Sequence, residues 1–271
     1  MKKILALLLC LTLLLAMAGC GGKKAEPTEI TVFAAASMTE AMTEIKEAYE
    51  KANAGVTITY NFDSSGTLKT QIQEGAVCDL FISAAQKQMN QLDIACDEEA
   101  NPDRLDFVLQ GSRVNLLENK VALVVPEGNP KGIESFDQLA AVLKDGEILM
   151  AMGNEDVPVG QYTQKILAYY ELSEEELAAA GKITYGSNVK EVTTQVKEGS
   201  VDCGVVYCTD ATSAGLAIRD TATKDMCGQI IYPAAVMKNS AAAEAAQAFL
   251  DYVAAGEGKA VLEKYGFSPL G

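Results

Sequence analysis

The residues best placed to do chemistry in this chain are small, mostly neutral and grouped. Ala34-Ala35-Ala36-Ser37-Met38, Phe62-Asp63-Ser64-Ser65-Gly66-Thr67, Asp156-Val157-Pro158-Val159-Gly160 and Gly186-Ser187-Asn188-Val189 each lie where a strand-like run gives way to a helical pattern. First-turn N–H groups of a helix have no intrahelical acceptor, so such a start offers donors and positive potential to an anion. Serine hydroxyls add donors, and Gly204-Val205-Val206-Tyr207 ends a further strand pattern with a phenol. Together these groups can hold an anion by hydrogen bonds alone. Each also has a plainer role: Ser37 with Glu40 and Asn188 with Glu191 have capping-box spacing, Ser64 and Ser65 suit a turn, Asp156 suits a helix start, and Tyr207 suits a core. Convergence of several such starts on one crevice is what favours a site.

What the chain lacks narrows the chemistry. With no histidine there is no Ser-His-Asp triad, no Cys-His dyad and no His-ligated zinc. Cys203 and Cys208 have no second pair to complete a metal site, so no metal ion or cofactor is expected. The odd set Cys78, Cys96, Cys203, Cys208 and Cys227 reads as buried thiols. Arg104, Arg113 and Arg219 all fall outside the five segments, which leaves a guanidinium clamp unsupported. Only Asp63 and Asp156 could titrate near the crevice, a thin inventory for an enzyme. The formal charge of −15 argues against nucleic acid as a partner.

At the N-terminus, Lys2 and Lys3 precede an apolar run from Ile4 to Ala18, then Gly19 and Cys20. The run is too short to cross a bilayer as a helix, and a small residue directly before a cysteine reads as a lipoprotein cleavage signal over residues 1–19. Cys20 would then carry lipid, with residues 20–28 as a flexible tether, giving an extracytoplasmic protein anchored to the cell membrane.

The elements that must position these groups alternate. Glu29–Ala34, Val56–Phe62 and Asp79–Ala84 read as strands, each followed by a helical stretch: Ser37–Asn53, Gly66–Glu74 and Gln86–Ala95. A less regular stretch over 97–113 precedes a second alternating set, and Gln229–Met237 leads into two final helices without strands of their own. The pattern predicts an α/β protein of two doubly wound domains joined by two crossover strands, near residues 119–126 and 229–237. The expected lobes are 29–118 with 232–271, and 119–231. In open α/β sheets ligands sit beyond the carboxyl ends of the strands, where all five segments fall.

Phe33-Ala-Ala-Ala-Ser37-Met-Thr-Glu-Ala-Met42, Ser64-Ser-Gly-Thr-Leu68, Ala76-Val-Cys-Asp-Leu-Phe-Ile-Ser-Ala84, Val157-Pro-Val-Gly-Gln-Tyr162, Asn188-Val189, Gly204-Val-Val-Tyr-Cys-Thr-Asp-Ala211 and Lys264-Tyr-Gly-Phe267 occur in that order. The chain resembles, over roughly 29–267, the periplasmic molybdate-binding proteins of ModA type. The resemblance implies a type II periplasmic binding protein fold and no enzymatic activity. It implies a monomer that takes molybdate or tungstate between two lobes and delivers it to the permease of an ABC importer. It also implies five ligand-binding positions: Ser37 and Ser65 through hydroxyls, Val159 and Val189 through backbone N–H groups, and Tyr207 through its phenol. The register on Phe62 and Thr67-Leu68 selects Ser65 over Ser64.

Molybdate at neutral pH is a dianion with no proton to donate, so its site wants donors and no carboxylate. Asp63 departs from that rule. Turned into the site it would favour monohydrogen phosphate; capping the next helix it would leave molybdate undisturbed. Sulfate and phosphate are the alternative ligands on the same fold, and an exported enzyme of that fold is the weaker alternative.

Overall fold

The computed structural model describes residues 27–270. The signal segment 1–19, Cys20 and tether residues 20–26 lie outside the described residues.

The first half of the chain builds β1 (Thr28–Ala35), a short 3-10 turn (Ala36–Met38), α1 (Thr39–Ala52), β2 (Val56–Asp63), α2 (Ser65–Gln73), β3 (Leu80–Ile82) and α3 (Gln86–Asn90). An irregular stretch follows, then β4 (Val114–Asn119) and β5 (Val121–Val125). Next come α4 (Phe136–Asp145), β6 (Met150–Gly153), α5 (Pro158–Tyr169), α6 (Glu174–Ala179), β7 (Ile183–Gly186), α7 (Val189–Lys197), β8 (Cys203–Tyr207), α8 (Cys208–Ala214), β9 (Ala217–Thr221) and α9 (Lys224–Cys227). The chain ends in β10 (Ile230–Val236), α10 (Ala243–Ala254), α11 (Gly256–Lys264) and the two-residue β11 (Ser268–Pro269).

Two sheets result. One has the order β11-β4-β10-β3-β1-β2 and the other β7-β6-β8-β5-β9. Each has a parallel core, β2-β1-β3 in the first and β7-β6-β8 in the second, extended by antiparallel strands. The continuous apolar run Val121–Val125 is buried along its whole length, as a strand covered on both faces requires. In α1 the buried positions Ala41, Met42, Ile45 and Tyr49 fall at helical spacing and cover one face of the first sheet. The chain passes from the first sheet to the second at Lys120 and returns between β9 and β10. Helices α10 and α11 pack against β10, α1 and each other, on the side of the first sheet.

Three strands escape the sequence pattern. Both β4 and β9 mix polar with apolar residues at half-exposed positions, which blurs a two-residue period, and β11 is too short to show one.

Candidate functional site

Six strand-to-helix junctions and strand ends from both sheets face one small cavity, lined by Ala35, Ala36, Ser37, Asp63, Ser64, Ser65, Ala84, Val157, Pro158, Val159, Val189 and Tyr207. All five positions singled out in the sequence, Ser37, Ser65, Val159, Val189 and Tyr207, line it together. Its volume of ≈ 10 Å³ is far below the roughly 300–1,000 Å³ of clefts for drug-sized organic ligands, so these walls exclude a large organic ligand. No lysine or arginine lines it.

From the first lobe the donors are side-chain hydroxyls. Ser65 is fully buried, and its hydroxyl oxygen accepts the Ala84 N–H at 2.9 Å, which leaves its own proton free to donate. Ser64, one residue earlier, caps α2 by accepting the Thr67 N–H at 3.1 Å. Ser37 lies in the 3-10 turn and makes no cap to α1, so the capping-box role open to it in the sequence is not the one it has. Its hydroxyl instead meets the Tyr232 hydroxyl at 3.0 Å. The Asn119 amide donates to that same phenol at 3.2 Å and to the Thr209 hydroxyl at 2.9 Å. Either hydroxyl of the Ser37–Tyr232 pair can donate; when Tyr232 donates, the Ser37 proton is left for the cavity. Burial raises Tyr232 and Tyr207 well above the usual phenol range, so both stay protonated.

From the second lobe the donors are backbone groups at helix starts. Pro158 occupies the first turn of α5 and has no N–H of its own, so Val159 and Gly160 supply the first free donors there. Asn188 caps α7 by accepting from the Lys190 and Glu191 N–H groups, and Glu191 accepts the Ser187 N–H at 2.7 Å. Those bonds leave the Val189 N–H, at the first helical position, without an intrahelical acceptor, and Val189 lines the cavity. A Cβ on Gly160 would come within 2.3 Å of the Gly153 carbonyl oxygen, so α5 can sit this close to β6 only with glycine there. Tyr207 is 1% exposed; its hydroxyl lies 3.5 Å from the Ala84 carbonyl, too long for a strong bond, and is available to another acceptor.

The lobes touch directly at the rim. The Gly66 N–H donates to the Asp156 carbonyl at 3.1 Å, and a Cβ on Gly66 would lie 2.2 Å from that oxygen. Asp156 thus meets the other lobe with its backbone. Asp63 is not the helix cap that the sequence suggested, because Ser64 fills that position. The Asp63 carboxylate accepts the Ser64 N–H at 2.7 Å and the residue also lines the cavity. Tyr232 and Asn119 had no signal in the sequence, because they act through contacts over 100 residues away; Gly66 lies inside the second junction segment, but its role shows only when the lobes meet. Among the described residues, no group of three or more acidic or cysteine side chains is arranged to hold a metal ion.

A two-lobed α/β protein with a small donor-lined cavity between its sheets is a binding protein for a small anion in its class. The chain belongs to the bacterial extracellular solute-binding protein family, whose model matches residues 30–268. Within it the chain is a ModA-type periplasmic binding protein: it is 33% identical to the molybdate-binding protein ModA of Escherichia coli, with 94% of each chain covered. It is also 35% identical to a Bacillus subtilis protein named as a candidate ABC transporter substrate-binding lipoprotein, over 98% of each. Among solved structures it resembles the Azotobacter vinelandii periplasmic molybdate-binding protein, with TM-score 0.73 and 22% identity over 88% of this chain and 98% of that one. The sulfate-binding protein of Mycobacterium tuberculosis has TM-score 0.70 and 20% identity over 90% and 87%. At those identities the two structures share the fold. No helix among the described residues is long and apolar enough to cross a membrane.

Proposed function

We propose that this protein captures molybdate or tungstate between its lobes and hands it to the permease of an ABC importer, acting as a binding protein without turnover. The observation that carries the reading is the composition of the cavity wall: hydroxyls and helix-start N–H groups, with no cation. A tetrahedral dianion needs donors on all sides, and hydrogen bonds to a charged group contribute about 1.5–3 kcal/mol each. Ser37, Ser65 and Tyr207 would donate through hydroxyls, and Val159 and Val189 through backbone N–H groups. The relative in Escherichia coli, named for molybdate, supports this ligand over others.

The same reading makes the chain a monomer cleaved after residue 19 and anchored through lipid on Cys20, outside the cytoplasm, with lobes 29–118 plus 232–271 and 119–231. The name of the Bacillus subtilis relative supports the lipid anchor. One observation favours a second ligand: Asp63 lines the cavity and could accept the proton of monohydrogen phosphate.

Competition calorimetry on the purified protein with molybdate, tungstate, sulfate and phosphate tests the ligand. Molybdate and tungstate should bind at least tenfold more tightly than the other two. Tight binding of phosphate that Asp63→Asn abolishes would replace the molybdate reading with the phosphate one.

A further inference from the structure

Just behind the cavity wall, outside the five binding positions, lies a group of three charges. The Lys190 ammonium sits 2.8 and 2.7 Å from the two carboxylate oxygens of Glu40 and 3.2 Å from Asp210 Oδ1. Glu40 is on α1 in the first lobe; Lys190 on α7 and Asp210 on α8 are both in the second. Each charge lies in the first turn of a helix that begins at the cavity: Glu40 follows Ser37 by three residues, Lys190 follows Val189 by one, and Asp210 follows Tyr207 by three.

We infer that Lys190 is a positioning residue for capture: held by Asp210 in its own lobe, it receives Glu40 when the lobes close and locks the Ser37 and Val189 segments around the ligand. The two pairings differ in kind. Asp210 has no exposed surface, and its oxygens have no hydrogen-bond partner among the described residues, so the ammonium 3.2 Å away is what offsets its charge. Leaving Asp210 would strand a buried carboxylate, so Lys190 stays with it whether the cleft is open or closed. Glu40 is different. Its side chain is 41% exposed and that of Lys190 30%, so Glu40 can separate into water at small cost. One lobe therefore carries a preset cation and the other brings a movable anion. The interlobe pair forms only on closure, and its loss should speed ligand release more than it slows entry.

This rests on the proposed capture of a tetrahedral dianion, and the test separates the two. Using molybdate as probe, Kd, kon and koff are measured for the full chain and for Lys190→Gln, Glu40→Gln, the double variant and Lys190→Arg. Each neutral single variant should raise koff about three- to tenfold with kon within about twofold, as a partly exposed pair allows. The double variant should be no worse than Lys190→Gln alone, and Lys190→Arg should recover most of the loss. Additive penalties in the double variant, or an unchanged koff in Glu40→Gln, would overturn the latch. Should Lys190→Gln fold poorly because Asp210 is stranded, Glu40→Gln alone decides, since it leaves the second lobe intact. If the unaltered protein ignores molybdate and tungstate, the ligand reading falls, and the same rates are read with whichever of sulfate or phosphate binds. If none of the four binds, the capture that the latch serves is absent, and the latch is overturned with it.

Discussion

The two lobes reach the same cavity with different materials. The first presents hydroxyls, each set by a partner distant in sequence: Ser65 by Ala84, and Ser37 by Tyr232 and Asn119. The second presents mainly main-chain N–H groups at the starts of α5 and α7, set by a proline, an asparagine cap and the close approach of Gly160 to β6. Side-chain donors can be removed one atom at a time. Backbone donors survive almost any side-chain change and fail only when the helix start moves, so the proposed ligand contacts would be fragile in one lobe and robust in the other.

The largest effect should come where the lobes meet. Gly66→Ala puts a Cβ against the Asp156 carbonyl and should raise the molybdate Kd by about 100-fold or more, while the ligand-free melting temperature changes little. Calorimetry and a thermal melt check both halves; a near-normal Kd would mean that the Gly66–Asp156 contact is not part of the bound state. Next come the hydroxyls. Ser37→Ala and Ser65→Ala should each weaken binding about 10- to 150-fold, whereas Val159→Ala and Val189→Ala should stay within about threefold. Equal losses at serines and valines would erase the contrast between the lobes.

A smaller loss should mark the network behind Ser37. Tyr232→Phe keeps the ring but removes the hydroxyl that positions the serine, and should cost about 1 kcal/mol, or roughly fivefold in Kd. The smallest effect is on stability against pH, where the lobes should oppose each other. In the second lobe burial pushes Asp210 up to about 6 against the pull of Lys190. The folded state then binds that proton more tightly than the unfolded one, so this contribution falls as pH rises from about 4 to 6 and is flat above. In the first lobe burial acts to raise Asp93, but hydrogen bonds from Arg113 and Gln110 outweigh it and hold the carboxyl below its usual range. That contribution is present at neutral pH and lost on acidification. Denaturant titrations at about pH 2.5, 4.5 and 7 should show Asp210→Asn losing the slope between the upper two and Asp93→Asn the slope between the lower two. The Asp210 test includes its neighbours Lys190, Glu40, Tyr207 and Tyr232, whose phenols stay neutral over this range.

Much of this was open to reading in the residues. Helix starts at Pro158 and Asn188 announce themselves through local rules, because a cap or a missing N–H acts within a few residues of itself. The choice between a bland and a binding role for Ser37 could not be read that way: capping-box spacing to Glu40 is present, yet the hydroxyl turns to Tyr232, 195 residues on. At Asp63 the local rule misled, since two candidate caps stand side by side and Ser64 takes the helix while Asp63 binds the Ser64 N–H.

The sequence by itself determined the α/β alternation and the absence of histidine chemistry, both properties of residue type and short-range spacing, while the five proposed donor positions came from the family resemblance. Only the tertiary structure decided which groups stand behind those donors. Asn119 and Tyr232 reach Ser37, Gly66 meets Asp156, and Glu40 meets Lys190 because folding brings together segments that share no local pattern. Periodicity reports which face of an element is buried; it carries no record of what lies across the cleft.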